Sequence, residues 1–295
     1  VDPGPRELAL QSDAESAYRA ALLAAYGLGV QMDLRAALAH LQRAAERGHW
    51  QARMELAVLA GNGRLATEII HSGEEIAPQD WAQLGAAIDV AAWQDIPEGR
   101  MLSEAPRIAA IAGFLPAPVC DWLILVSEPH LKRAEIFDTE KLGLREDRSR
   151  TNSAASLDIE QADVVLGFVR ARAAALAEVP LSGLEVCQVL HYDVGEQFAP
   201  HYDFLDVSVP GHARDVEIRG QRALTLLIYL NEGYDGGETA FPLLGKSFKG
   251  RKGDAMVFWN VLPDGAPDRS TLHAGTSPTK GAKWLFSQWI RVSAG

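Results

Sequence analysis

Cysteine is nearly missing from this chain of 295 residues: two, Cys120 and Cys187, are too few for a disulfide framework or a thiolate zinc cluster. A reducing compartment is the simpler expectation. Long apolar runs are missing as well. The longest, LTLLIYL at 224–230, has the length of a strand, against the roughly 20 residues that cross a bilayer. The opening VDPGPREL lacks a basic segment followed by an apolar one, so we expect no secretory signal and a cytoplasmic protein without membrane contact. Excess positive charge is absent too. Lys and Arg number 28 against 39 Asp and Glu, and the formal charge of −11 disfavours nucleic acid as a partner.

What is present reads in two halves. A hydrophobic content of 47% is ample for a core, and the length favours two domains. Residues 1–12 read as an N-terminal extension and 13–95 as an α-helical region, with apolar residues at three-and-four spacing in AYRAALLAAYGLG, DLRAALAHLQRAAERG and HWQARMELAVLAG. Gly27 and Gly29 fall where one helix should stop, Asp33 can cap the next, and Gly48 marks its end. The run AYGLGVQMDLRAALAHLQRAAERGHWQARMELAVLA resembles the tetratricopeptide-related repeats called SEL-like, with a degenerate second unit around 64–93. Such repeats need neighbours to bury their faces. A protein partner, or self-association through these helices, follows from that resemblance.

Residues 96–105, IPEGRMLSEA, read as a linker, and 106–295 as a second domain. There the period changes. RIAAIAGFLPAPVCDWLILVSE suggests a strand, a turn and a helix opening near Pro118, and QADVVLGFVRARAAALAEV a further helix. Then LEVCQVLHYDVG, QRALTLLIYLN, GDAMVFWNV and AKWLFSQWIRV are short β-branched or aromatic runs separated by turn residues. The expected fold class is α+β: a C-terminal double-stranded β-helix, or jelly roll, with flanking helices, behind a small all-α region.

The tripeptide His-Tyr-Asp occurs twice within HYDVGEQFAPHYD at 191–203. A histidine and a carboxylate two positions apart on a strand share a face, so either copy can supply two metal ligands, and spacing does not choose between them. Further on lie His273 in TLHAG and Lys283 in KGAKW. Two imidazoles and one carboxylate on one side of a metal leave its other positions open, the arrangement of non-haem Fe(II) oxygenases; the same donors also suit a zinc hydrolase. Taken singly, each element has an ordinary explanation, a hydrogen-bonded pair for HxD and a solvated strand residue for Lys283.

The blocks QVLHYDVGEQFAPHYDFLD, QRALTLLIYLNEGYDGGETAFP, FKGRKGDAMVFWN and RSTLHAGTSPTKGAKWLFSQWIR together resemble the catalytic core of the prolyl 4-hydroxylase group of Fe(II)- and 2-oxoglutarate-dependent dioxygenases, from about Pro106 onward. That resemblance implies Fe(II) on His201, Asp203 and His273, the copy preceded by Ala-Pro. It implies 2-oxoglutarate and O2 as cosubstrates, with Lys283 on the distal carboxylate and Tyr192, Thr225 and Trp289 around it, and ascorbate as reductant. His191 and Asp193 become structural residues or lie near the substrate mouth. In SRTNSAASL at 149–157, which resembles a stretch near a mobile substrate-covering loop, Arg150 is the candidate substrate contact although Asn152 interrupts the pattern. GGETAFP at 236–242 resembles the family's hairpin, mostly structural, with Glu238 as a second candidate. Tyr202, Trp259 and Trp284 are expected as wall or core. The implied substrate is a prolyl residue in a peptide or protein; the alternatives are a free amino acid or other small metabolite, and a non-catalytic interaction module on a jelly-roll platform.

Overall fold

The computed structural model describes residues 5–72, 79–138 and 143–292. Six helices come first: α1 Pro5–Tyr26, α2 Leu34–Glu46, α3 Trp50–Leu59, α4 Gly63–Ser72, α5 Trp81–Ala86 and α6 Val90–Gln94. Strands β1 Arg100–Glu104 and β2 Arg107–Ile111 precede α7 Ala117–Ser127, followed by β3 Lys132–Arg133, β4 Glu135–Asp138, β5 Gly143–Glu146 and β6 Ser153–Leu157. After α8 Val164–Ala177 come β7 Cys187–Tyr192, β8 Phe198–His201, α9 Pro210–Arg219 and β9 Gln221–Tyr229. The remainder is β10 Asp235–Gly236, β11 Thr239–Phe241, β12 Lys246–Phe248, β13 Ala255–Trp259, β14 His273–Gly275, β15 Pro278–Lys280 and β16 Lys283–Val292.

The chain forms two compact units. One comprises residues 1–96 with 116–122 and 161–172; the other comprises 97–115, 123–160 and 173–295. In the first, α1 packs on α2 and α2 on α3. Fully buried alanines, Ala21 and Ala25 on α1 and Ala37, Ala44 and Ala45 on α2, occupy the closest approaches. Asp33 caps α2 as expected, accepting from the N–H groups of Arg35 and Ala36. Gly27, Gly29 and Gly48 all adopt positive φ at the helix ends. Helix α1 already begins at Pro5, so the expected extension of 1–12 is helical from that residue on.

Two carboxyl groups are buried inside this unit. Glu55 of α3 accepts from the Tyr18 hydroxyl at 2.6 Å and from the Val164 N–H, at the start of α8, at 2.8 Å. Asp163 caps α8 through the Leu166 N–H at 2.6 Å and accepts from Trp122 Nε1 at 2.9 Å, and its carbonyl receives the Tyr26 hydroxyl. Residues 161–172 thus supply part of the burial of this helical region.

The second unit is a two-sheet sandwich. Its larger sheet has the strand order β1-β2-β13-β9-β16-β7-β6-β3 and its smaller one β12-β11-β14-β8, antiparallel throughout. The core between them joins Ile108, Leu190, Tyr192, Leu227, Tyr229, Met256, Phe258 and Leu285 of the large sheet to Phe241 of the small one. This is the jelly roll expected from the strand pattern. Pro200 lies on β8, an edge strand, where its missing N–H costs no ladder bond. The linker expectation is corrected: residues 100–104 form β1, hydrogen-bonded to β2 at the edge of the large sheet. Proline at 97 and 106 brackets that strand rather than opening a flexible joint.

Burial raises the pKa of Glu55 well above the usual carboxyl range, with Asp163 adding to it, and burial pushes Asp163 up to about 6. A carboxyl held above its unfolded value stabilises the fold fully below that value and loses the contribution as pH rises through the folded one. For Asp163 this window runs from about 4 to about 6. Glu55→Gln, which removes one of the two buried charges, is expected to raise the melting midpoint by ~2–4 °C at pH 8 and by less at pH 5, read by differential scanning fluorimetry. An equal shift at both pH values would contradict the account.

Candidate metal centre and its cavity

Antiparallel pairing of β8 with β14 sets His201 directly opposite His273. Asp203 follows two residues later, beyond the strand end. His201 Nε2 stands 3.6 Å from Asp203 Oδ1, and His273 Nε2 3.4 Å from Asp203 Oδ2. The three donor atoms lie within 4.8 Å of one another. Each imidazole turns its Nδ1 to a backbone carbonyl, His201 to Ala199 at 2.8 Å and His273 to Thr271 at 3.0 Å. Both Nδ1 atoms therefore carry a proton, which leaves each Nε2, turned to the carboxylate, as the atom that can hold a metal. Burial first, and then the adjacent His273, push His201 down to about 3, so it stays neutral. Burial alone would raise Asp203, but the two imidazoles and the Thr225 hydroxyl hold it below the usual carboxylate range.

Behind Asp203 stands a relay absent from the sequence reading. Asn260 Nδ2 donates to Thr225 Oγ1 at 2.8 Å, and the Thr225 hydroxyl donates to Asp203 Oδ2 at 2.7 Å. A hydroxyl has one proton; with Asn260 donating into the oxygen, that proton is committed to the carboxylate. Thr225 was expected to face the cosubstrate. It is not among the cavity-lining residues and serves the carboxylate instead. Asn260 could not be found from spacing, because only the β9–β13 register, which opposes Leu224 to Trp259, brings it beside Thr225.

The first His-Tyr-Asp copy is built differently. Strand alternation turns Tyr192, 2% exposed, into the core, while His191 packs on Trp284 at 4.4 Å with its Nε2 3.8 Å from Asp193 Oδ1. His191, Asp193 and Glu196 also lie within metal-ligand reach of one another, but Asp193 is largely in solvent and, among the described residues, no buried partner completes that group. In neither copy do histidine and aspartate share a strand face: β7 ends at Tyr192 and β8 at His201, so both aspartates belong to the following loops.

A cavity with about 440 Å³ of atom-free space, its mouth included, opens beside the cluster, walled by Leu190, Tyr192, Leu227 and Leu285 and reached by Lys283 and Trp289. Lys283 lies opposite Tyr192 on the neighbouring strand, wholly buried, with its Nζ lacking a hydrogen-bond partner and 5.1 Å from the Tyr192 ring. Burial pushes it down to about 7. An ammonium group sealed from water without an acceptor is costly unless an anion belongs beside it. Trp289 Nε1 is also buried without a partner. Six residues of extended strand span roughly 20 Å, so Lys283 and Trp289 mark opposite ends of the cavity. Arg222 lies 3.7 Å over the Trp289 ring, held by Glu185, which also binds Arg291 at 2.6 Å.

Arg150 lines the cavity too. Its guanidinium lies 4.6 Å over Phe198, whose ring stacks 3.5 Å from that of His201. It donates to Glu135 O, Gln188 Oε1 and Asn152 Oδ1, which leaves one N–H on each terminal nitrogen. The surrounding segment is tied down rather than loose: Ala199 N–H bonds Ser149 O at 2.7 Å and Thr151 N–H bonds Gln197 O at 2.8 Å. Glu238 does not line the cavity, and its carboxylate accepts from the Thr276 hydroxyl at 2.9 Å. Trp259 sits under Arg107 at 3.7 Å, and Tyr202 packs on Phe204.

Residues 187–291 match the family model described as the 2OG-Fe(II) oxygenase superfamily. Among curated proteins, the chain is 33% identical over 213 residues to probable prolyl 4-hydroxylase 10 of Arabidopsis thaliana, covering 65% of this chain and 71% of that protein. It is also 33% identical over 212 residues to prolyl 4-hydroxylase 5 of the same plant, covering 65% and 70%. Among solved structures, the 2OG complex of the viral collagen prolyl hydroxylase from Paramecium Bursaria Chlorella virus-1 aligns with a TM-score of 0.48 and 26% identity over 63% of this chain and 96% of that one.

Mn(II) titrated anaerobically should separate the two His-Tyr-Asp copies. His201→Ala is expected to abolish saturable binding and His191→Ala to leave the affinity within about threefold, while Thr225→Val, which strips Asp203 of its donor, lowers it ~10- to 100-fold. The reverse order for the two histidines would transfer the centre to the first copy.

Proposed function

The chain belongs to the prolyl 4-hydroxylase family within the 2OG-Fe(II) oxygenase superfamily, and on that footing we propose that it hydroxylates a prolyl residue of a peptide or protein. One observation carries the reading: three metal donors, His201 half-buried and Asp203 and His273 buried, face the same cavity as a lysine ammonium that has no hydrogen-bond partner among the described residues. Two imidazoles and a carboxylate suit Fe(II), and the lone Nζ suits the far carboxylate of a dicarboxylic keto-acid. His201, Asp203 and His273 would hold the iron, and Lys283, beside Tyr192, the 2-oxoglutarate.

Bound together, Fe(II), 2-oxoglutarate and O2 supply an oxidant that converts a C–H bond to an alcohol while the keto-acid leaves as succinate and CO2. The protein's part is arrangement. Asn260 and Thr225 fix the Asp203 carboxylate, and the carbonyls of Ala199 and Thr271 fix the two rings. Leu190, Leu227 and Leu285 keep the inner cavity dry. At the other end, the remaining N–H groups of Arg150 and the indole N–H of Trp289 are donors for a substrate carbonyl.

The helical unit is the part we propose holds a protein partner; Leu23, Leu28, Val30 and Trp50 are exposed there. A cytoplasmic location fits the two buried thiols of Cys120 and Cys187. Among the described residues no helix is long and apolar enough to cross a membrane.

Anaerobically loaded protein, supplied with O2, 2-oxoglutarate and ascorbate, is expected to release succinate with proline-rich peptides and add about 16 Da to the peptide, with no turnover of free proline. Turnover of free amino acids alone would give the site to a small metabolite. Lys283→Ala should raise the KM for 2-oxoglutarate roughly 100-fold. Because Lys283 without its anion titrates at about 7, 2-oxoglutarate binding should take up close to one proton at pH 8 and almost none at pH 5.5. Calorimetry in buffers of different ionisation enthalpy reads this, and uptake that does not change with pH would exclude the assigned pairing.

A further inference from the structure

The sandwich has a second cleft, on the flank away from the metal cluster. Register places Arg100, Ala110, Met256 and Leu227 in one row across β1, β2, β13 and β9. Leu227 faces the first cavity, and Arg100, Ala110 and Met256 line the second, so both occupy the same face of the large sheet. Tyr229 and the core around Phe241 and Phe258 separate them. Across the cleft from β1 and β2 stands β12 with the turn that follows it. The space holds about 1050 Å³ free of atoms, mouth included, against about 440 Å³ beside the metal cluster.

Its chemistry differs from that of the surrounding protein. The floor is apolar, made by Leu102, Phe248, Met256 and the Tyr229 ring. Gly250 lets that ring reach the cleft wall, since a Cβ there would come within 2.4 Å of it. The rim is cationic. In a chain of formal charge −11, the stretch KSFKGRK at 246–252 puts four cations in seven residues, and Lys249 and Arg251 of this stretch meet Arg100 at the cleft. Glu98 and Asp254 are the acids there. Asp254 and Arg251 engage one another, Nε to Oδ2 at 3.6 Å, and Asp254 also accepts from the N–H groups of Gly113 and Arg251, which leaves Arg100 and Lys249 as the cations for a ligand. Lys249 is anchored by donating to Tyr234 O. Arg100 has no ion-pair partner among the described residues.

We propose that this cleft binds a small amphipathic organic anion, with a carboxylate or phosphate head on Arg100 and Lys249 and an apolar body on Leu102, Phe248 and Met256. An apolar pocket of this size with a few convergent charged groups is how such ligands are held. The acidic balance of the chain makes a concentration of positive charge at one apolar cleft the distinguishing feature. None of this depends on the function proposed above, because no residue of the cleft belongs to the metal cluster or to its cavity.

Octanoate, octyl phosphate and 1-octanol should be titrated calorimetrically into the full chain, with 2-oxoglutarate saturating so that the Lys283 cavity does not contribute. Both anions are expected to bind saturably and the alcohol at least tenfold more weakly. Arg100→Ser, at an exposed strand position, should weaken the anions about tenfold. Ala110→Phe, which fills the cleft from a half-buried position, should abolish binding. Both variants should retain the wild-type far-UV circular dichroism spectrum and a cooperative melt, which shows that they fold. Absence of anion binding, equal affinity for the alcohol, or binding that survives Ala110→Phe would each overturn the proposal.

Discussion

The pairing of β8 with β14 is the constraint on which the rest depends. It sets two histidines from segments seventy residues apart opposite one another, and the loop after β8 needs two further residues to deliver Asp203 between them. Cross-strand neighbours lie about 5 Å apart, the range at which two imidazoles can share a metal. Neither ring is left to choose its orientation, because backbone carbonyls of the same segments hold both Nδ1 atoms. Phe198, on the same strand as His201, adds a stacked ring, and Arg150 lies over that ring in turn.

A second consequence of the sandwich is the concentration of charge where water does not reach. Glu185 bridges Arg222 and Arg291, and Arg291 continues to Asp215 at 2.6 Å. Burial alone would raise Glu185, but the two guanidinium groups hold it below the usual carboxylate range. Every member of that network has an opposite charge beside it. Lys283 differs, for it is more deeply buried and, among the described residues, unmatched. The other buried cations of this unit, Arg150 and Arg291, have hydrogen-bond acceptors, and the unpartnered Nζ is the feature on which the proposed anion site rests.

The helical unit obeys another economy of burial. Its alanines allow helices to approach closely but offer little apolar area, and its buried Glu55 bonds the first N–H of α8. Start and stop signals, the glycines and Asp33, fixed the early helices at sequence level because they act within one turn. The involvement of residues 161–172 was not legible there, since nothing local connects Glu55 to Val164.

Sequence by itself determined the class of fold and the strands β7, β9, β13 and β16. Hydrophobic period and turn residues act over a few positions, and the resemblance to the family rested on contiguous blocks. The choice between the two His-Tyr-Asp copies lay outside local geometry, for both have the same spacing, and register alone closes the second one against His273. Register likewise placed Thr225 behind the carboxylate, added Asn260, and turned an expected linker into β1. Such assignments were left to tertiary structure because they depend on which strands lie side by side, and strand adjacency is set by burying the whole core rather than by any single segment.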